Sequence, residues 1–392
     1  MSIDYWGFHF SEIELIIFIA FFLIFLYQAY FYLRYMKGVL AYKNKIRKNK
    51  VRFSDQKPPV SIIICARNEE ENLRKKLPFV LEQDYPDFEV IVVNDSSVDE
   101  SDYVLEELKT KYPNLRTTFI PVGTKNLSTK KLGITLAVKA AKHELLLFTD
   151  ADCVPASNQW ISNMLRNFVP GTDIVLGYGA YEEENTALNR MITYDTLFIG
   201  LQYMGMAVRK APYMGVGRNL AYRKSLFLSN NGFSDTVHLI SGDDDLFVNK
   251  VSNKHNTRIE IAPESITLSE AKKTFDKWFY QKLRHISVSD NYKYGSKLRL
   301  IMEPITRGLF YALLIVLPIV GNLITIGATA LLFLIRVAFQ MIIINKSSKY
   351  FGGREYVFMQ PIFDIFLPLV NIYILLMKRP FSEKGKITKW EI

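Results

Sequence analysis

Two carboxylates one residue apart, Asp150 and Asp152, follow the apolar run Leu145-Leu146-Leu147-Phe148 and precede Pro155. Such a run suits a central strand covered on both faces, where no alternation of polar and apolar residues is required. Functional groups in open α/β sheets collect beyond the carboxyl ends of the strands, which is where these two residues fall. Hard oxygen donors in that place suit Mg²⁺ or Mn²⁺, which keep part of their shell for water and substrate phosphates. Taken alone, the tripeptide reads equally as a solvated Asp-x-Asp turn.

A second acidic group, Asp243-Asp244-Asp245, follows Ser241-Gly242. Three adjacent carboxylates repel one another, and in an enclosed site one acquires a raised pKa, which suits proton transfer. The alternative is an acidic helix N-terminus, where anionic side chains are favoured. Farther on, Gln281 and Arg284 at i,i+3 share one helix face. Their neighbours Trp278, Phe279 and Tyr280 also suit an amphipathic helix at a membrane surface.

The elements that must position these groups are legible upstream. Val60 to Ala66 is a β-rich run that stops at Arg67-Asn68-Glu69. Leu73, Leu77, Val80 and Leu81 then recur at helical spacing, with Pro78 expected to shorten or kink the helix. A second strand, Val90 to Val93, runs into Asn94-Asp95-Ser96-Ser97, residues that a strand-to-helix turn and N-cap would use. Asp95 by itself reads as an Asx-turn or cap. Thr117 to Ile120 is a third strand and 131–142 a helix, with Lys130 and Lys131 at its start, where solvated lysines are common. The βαβαβαβ order predicts an α/β domain with a mostly parallel sheet and right-handed crossovers. No Gly-x-Gly-x-x-Gly turn and no Gly-Lys-Ser/Thr follows any strand, so a dinucleotide fold and a P-loop are both excluded.

Both flanks are apolar. Residues 15–33 carry no charge and are long enough to span a bilayer as a helix. Asp4, Glu12 and Glu14 precede the run without a Lys or Arg, whereas Arg34, Lys37, Lys43, Lys45, Arg47, Lys48, Lys50 and Arg52 follow it. The positive-inside rule puts the amino terminus outside and the domain in the cytoplasm, and the basic residues stand on the wrong side for a cleaved signal peptide. Residues 309–344 are too long for one ordinary span, and Pro318 with Gly321-Asn322 predicts a tight hairpin. Residues 358–377 hold Asp364, Pro368 and Asn371, so a full span or a re-entrant segment fits. Their basic flanks conflict, since Lys346, Lys349 and Arg354 precede the run and Lys378, Arg379, Lys384 and Lys386 follow it.

In a chain of 392 residues, 49% hydrophobic content and a net charge of +10 placed beside apolar segments argue for an anionic membrane surface rather than nucleic acid. Zinc-finger and RNP-type spacings are absent. Two cysteines, Cys65 and Cys153, predict neither a disulfide framework nor a zinc site, and fit a reducing compartment.

CARNEE, VVNDSS, STKK, TDADC, GRNLAYRKSLF with NNGF, SGDDDLF and QKLRH occur in this order. Together they resemble the membrane-bound, inverting family-two glycosyltransferases of the GT-A fold, polysaccharide-synthase-like members included, over residues 58–285. The resemblance implies an integral protein of the cell inner membrane with a cytoplasmic catalytic domain. That domain would move a sugar from a nucleotide-sugar, expected to be a UDP-sugar, to a hydroxyl of a lipid-linked or polysaccharide acceptor, with Mg²⁺ or Mn²⁺, and with room for partner subunits of a synthesis complex. It implies donor contacts from Glu69, Asp95, Lys130, Lys131 and Asp150, a metal on Asp152 and Asp150, and Asp244 as base beside Asp243, which replaces the commoner Glu. Gln281 and Arg284 fall in the acceptor and diphosphate region. His285 replaces a Trp there, which shrinks the aromatic platform, adds a proton exchanging near neutrality, and predicts addition of one or a few sugars rather than a long polymer. The rival reading is a membrane-anchored pseudoenzyme that binds a nucleotide-sugar as sensor or scaffold.

The expected organisation is an anchor at 1–36, a basic linker at 37–57 and a GT-A domain at 58–270. An interfacial segment at 271–304, membrane segments at 305–377 and a basic tail at 378–392 complete it.

Overall fold

The computed structural model describes residues 2–5, 8–120, 128–239 and 241–383; the basic tail expected at 378–392 lies outside them from 384 onward. Seven strands form the central sheet in the order Thr257–Ile259, Ile174–Leu176, Leu220–Arg223, Leu145–Phe148, Val60–Ala66, Phe88–Asp95, Leu115–Ile120. Val60–Ala66 pairs in parallel with Phe88–Asp95 and with Leu145–Phe148, and Phe88–Asp95 with Leu115–Ile120. Leu145–Phe148 occupies the middle of the sheet and is buried along its whole length, as its unbroken apolar run requires. The mostly parallel α/β expectation therefore stands, with one departure: Leu220–Arg223 inserts antiparallel between Leu145–Phe148 and Ile174–Leu176. A smaller sheet of Cys153–Pro155, Thr267–Ser269 and Gly179–Tyr181 lies downstream of the Asp-x-Asp turn.

Helix Glu70–Leu81 runs on through Pro78, whose ring falls in the last turn, and the Pro78 carbonyl still accepts the Glu82 N–H. Helix Ala187–Val208, largely buried and without a charge-patterned face, has no counterpart in the sequence reading. It packs against the end of the amino-terminal anchor, where Gly38 and Gly205 meet: a Cβ on Gly205 would lie 1.9 Å from the Tyr35 carbonyl oxygen, and one on Gly38 would lie 2.5 Å from the Gly205 Cα.

Four helices among the described residues are long and apolar enough to cross a membrane: Glu12–Met36, Tyr294–Val320, Leu323–Tyr350 and Gln360–Met377. The tight hairpin falls at Gly321-Asn322, as expected, and Asn322 caps the following helix by accepting the N–H groups of Ile324 and Thr325. The first of these carboxyl-terminal helices begins at Tyr294, so it crosses the expected 304/305 boundary unbroken. Asp364 does not interrupt its helix. Its carboxylate lies 2.6 Å from Arg336 and 3.4 Å from Arg307, and accepts the Tyr311 hydroxyl at 2.6 Å; Arg307 also pairs with Glu303 at 2.6 Å. Gln28 joins this buried group from the amino-terminal anchor, donating to Thr306 and accepting from Arg336. Two cations and two anions thus neutralise one another among apolar helices, where a lone charge would be expensive. The connection between the last two spans lies against the α/β domain: Arg354 pairs with Glu183 and donates to the Glu184 carbonyl. This places Arg354 against the α/β domain.

Candidate active site

Strand ends and one helix start converge on one small cavity, lined among others by Cys65, Lys130, Thr149, Asp150, Gly217, Asp243 and Asp244. The loops after the first two strands are stitched together. Asn68, with a left-handed φ of 54°, donates its N–H to Ser97 Oγ and accepts the Val98 N–H on its side chain, both at 2.9 Å. Asp95 ends its strand fully buried. One carboxylate oxygen accepts the Thr129 hydroxyl at 2.5 Å, while the other, Oδ1, has no partner among the described residues. A buried acceptor left open is costly unless a ligand donor completes it.

The four residues Ser128 to Lys131 each serve a different part of the site. The Ser128 N–H donates to the Val237 carbonyl at 2.9 Å, and Thr129 holds Asp95. Lys130 Nζ lies 3.0 Å from Asp150 Oδ1 and 3.2 Å from Asp243 Oδ2. Lys131 differs from its expected donor contact. Its ammonium is fully buried and donates to the carbonyls of Thr236, Leu239 and Ser241 at 2.7, 2.9 and 2.7 Å, which uses all three protons. Its neighbours are the backbone leading into the acidic triplet. Burial, only partly offset by Asp243, Asp245 and Asp244, lowers its pKa to about 8.

Asp150, Asp152 and Cys153 bring ligand atoms within 4.8 Å of one another. Burial, with Asp150 adding to it, raises the pKa of Asp152, so two close carboxylates there lack enough positive charge. Glu69 is likewise raised, by burial and then by Asp152 and Asp150, against the Asn72 amide that it accepts. Burial and Asp152 hold the Cys153 thiol well above its usual range, so it stays protonated and offers no thiolate. The oxygen pair fits a hard divalent ion, as its chemistry suggests. Lys76 steadies the turn by donating to the Asp152 carbonyl at 3.0 Å.

The acidic triplet splits its charge in three ways. Burial opposes ionisation of Asp243, but Lys130 prevails and holds its carboxyl below the usual range. Asp244 is pushed up to about 6 by burial and then by Asp243, although its oxygens accept the N–H groups of Gly217 at 2.6 Å and Asp245 at 2.7 Å. Asp245, raised to about 7 by burial and Asp244, faces away from the cavity lining and accepts the Tyr292 hydroxyl at 2.6 Å. Gly242 supports this turn at a φ of 92°, where a Cβ would also strike Leu246. Of the three carboxylates, Asp244 alone combines a raised pKa with a place in the cavity lining.

Helix Phe275–Ser287 carries Gln281, Arg284 and His285. Gln281 donates to the Tyr181 hydroxyl at 3.2 Å, and Arg284 Nε is buried without a partner among the described residues. His285 departs from the expectation of a proton exchanging near neutrality. The surrounding protein, then Arg284 and Arg218, lower its pKa, although the residue itself is exposed. Sequence reasoning missed Arg218, whose guanidinium stacks 4.3 Å over the Tyr181 ring and donates to Ser269 and the Ala180 carbonyl. Its only signal was its place in GRNLAYRK.

The sequence matches two family profiles, Glycosyl transferase family 2 over residues 61–228 and Glycosyl transferase family group 2 over residues 147–344. It is 32% identical over 197 residues to Glycosyltransferase AglE of Haloferax volcanii, covering 48% of this chain and 59% of that protein. It is 24% identical over 234 residues to the probable glycosyltransferase YdaM of Bacillus subtilis, covering 58% and 54%. The chain therefore spans less than two thirds of the length of these curated relatives. Among solved structures, the mannosyltransferase PcManGT of Pyrobaculum calidifontis, in complex with GDP-Man and Mn²⁺, superposes with a TM-score of 0.55 at 16% identity, covering 91% of this chain and 97% of that one. That likeness is one of fold.

Proposed function

The chain belongs to glycosyl transferase family 2, and from that premise we propose that it is an inverting, divalent-cation-dependent enzyme. It moves a sugar, a hexose, from a UDP-sugar to a hydroxyl of a lipid-linked or polysaccharide acceptor at the cytoplasmic face of the membrane. Residues 58–270 form the catalytic unit in this reading, and the segments at 1–36 and 305–377 anchor it. The observation that carries the reading is the meeting of Asp244 and Asp150 in one cavity, with Lys130 spanning from Asp150 to Asp243.

Asp150 and Asp152 would hold Mg²⁺ or Mn²⁺, which when bound supplies positive charge for the departing diphosphate. Asp95 offers its open Oδ1 to a donor N–H or O–H of the nucleoside, and Glu69 stands beside the carboxylate pair. Asp244 takes the proton of the acceptor hydroxyl. The hydroxyl oxygen then forms its bond to the anomeric carbon as the bond to the diphosphate oxygen breaks, and the electron pair leaves with the nucleoside diphosphate. The N–H groups of Gly217 and Asp245 occupy one lone pair on each Asp244 oxygen and leave another for the incoming proton. Arg284, with its buried open Nε, lines the acceptor and diphosphate side.

The 392-residue chain, purified in detergent and given a panel of UDP- and GDP-sugars with Mn²⁺ or Mg²⁺, tests the reading. GDP-sugars belong in the panel because PcManGT was solved with GDP-Man and Mn²⁺. Release of nucleoside diphosphate from one donor, lost in excess chelator, is the expected result; no release from any donor, with nucleotide still bound, would favour a binding protein.

A further inference from the structure

Lys130 joins two groups of carboxylates with different work to do. Its ammonium is 3.0 Å from Asp150, one of the oxygen pair, and 3.2 Å from Asp243, in the triplet that carries the base. One cation thus bridges both sides of the cavity. A divalent ion coordinated by Asp150 at roughly 2.1 Å would stand within about 5 Å of that ammonium, close enough for like charges to repel strongly in a partly buried site. The cost falls when phosphate oxygens arrive with the metal, because they give the ammonium a new anionic partner.

We propose that Lys130 is a resident counter-ion that keeps a bare divalent cation off the Asp150 and Asp152 carboxylates and admits it together with a nucleoside diphosphate. The inference rests on the transferase reading above and adds an order to it. Metal and nucleotide become mutually cooperative, each raising the affinity of the other by the same factor. Lys130 is in this sense a positioning residue for metal entry.

Mn²⁺ binding to the detergent-solubilised chain, read as loss of the free-ion EPR signal, tests it without turnover. Wild type should bind bare Mn²⁺ weakly and about tenfold more tightly with UDP or GDP, within the usual range of coupling between sites. Lys130→Met should tighten bare-ion binding about tenfold and shrink the nucleotide's effect by a similar factor. Lys130→Arg, which keeps the charge, should follow wild type with the bare ion. Lys130→Gln is measured alongside so that a folding failure of the Met variant does not decide the matter. Equal bare-ion affinity in wild type and the neutral variants would overturn the counter-ion role and leave the transferase reading standing. No Mn²⁺ binding under any condition would defeat the metal assignment and this inference together.

Discussion

The Asp244 carboxylate accepts the backbone N–H of Gly217 at 2.6 Å, so the acidic triplet is held from a turn 27 residues upstream that also carries Arg218. The same turn therefore touches both the proposed base and, through Arg218, the ring that Gln281 reaches. Asp244→Asn should lower turnover by about 10²- to 10⁴-fold, the usual range for a positioned proton acceptor, with donor affinity little changed. Steady-state kinetics with nucleotide release as readout decides it. Loss of activity in Asp243→Asn with Asp244→Asn still active would move the base by one residue.

The raised pKa of Asp244 fixes the sign of a pH effect. A base must be ionised, so kcat/KM should fall as pH drops through about 6. Asp245, at about 7, is close enough to titrate with it, and the apparent values belong to the pair. A pH profile flat from 5 to 8 would remove this group from proton transfer.

Asp152→Asn should abolish turnover and weaken donor binding while leaving the fold intact, because one of two close oxygen ligands is lost. Asp150→Asn should act similarly. Circular dichroism and nucleotide binding with added Mn²⁺ separate the two effects, and full activity in either variant would sink the metal role.

Lys131→Met should lower kcat by up to about 10²-fold, since small misplacements of reacting groups carry penalties of that size, with the donor KM nearly unchanged. A donor-binding lysine would give the reverse split. The difference follows from the three carbonyls that its ammonium already occupies.

Arg336→Met should destabilise the chain by about 3–5 kcal/mol, the usual cost of leaving a buried charge without its partner. Arg307 lies farther from Asp364, at 3.4 Å against 2.6 Å, and is shared with Glu303. Adding Asp364→Asn to Arg336→Met should recover part of the loss. Thermal unfolding in detergent reads both.

Legibility followed sequence distance. Val60–Ala66, Phe88–Asp95 and Leu145–Phe148 declare themselves because each is a contiguous apolar run that ends on polar residues, and parallel strands put those ends at one edge. The hairpin at Gly321-Asn322 was equally local. For Lys131 the family resemblance implies a donor contact and its local sequence a solvated helix start, whereas its hydrogen-bond partners lie 105 to 110 residues away. Asp364 left a re-entrant segment open beside a full span because Arg336 and Arg307, which neutralise it, come 28 and 57 residues earlier. Leu220–Arg223 gave no hint of direction, since strand orientation is set by its neighbours and not by its own residues.

Gly38 and Gly205 leave no space for one carbon atom between the anchor and helix Ala187–Val208. The anchor is consequently a post and not a tether. A tethered domain would sample many heights above the bilayer, whereas a posted one presents its cavity at a single elevation. Under the proposed transferase function, such a post would sort acceptors by how far their hydroxyl stands from the lipid, a ruler that measures length before chemistry.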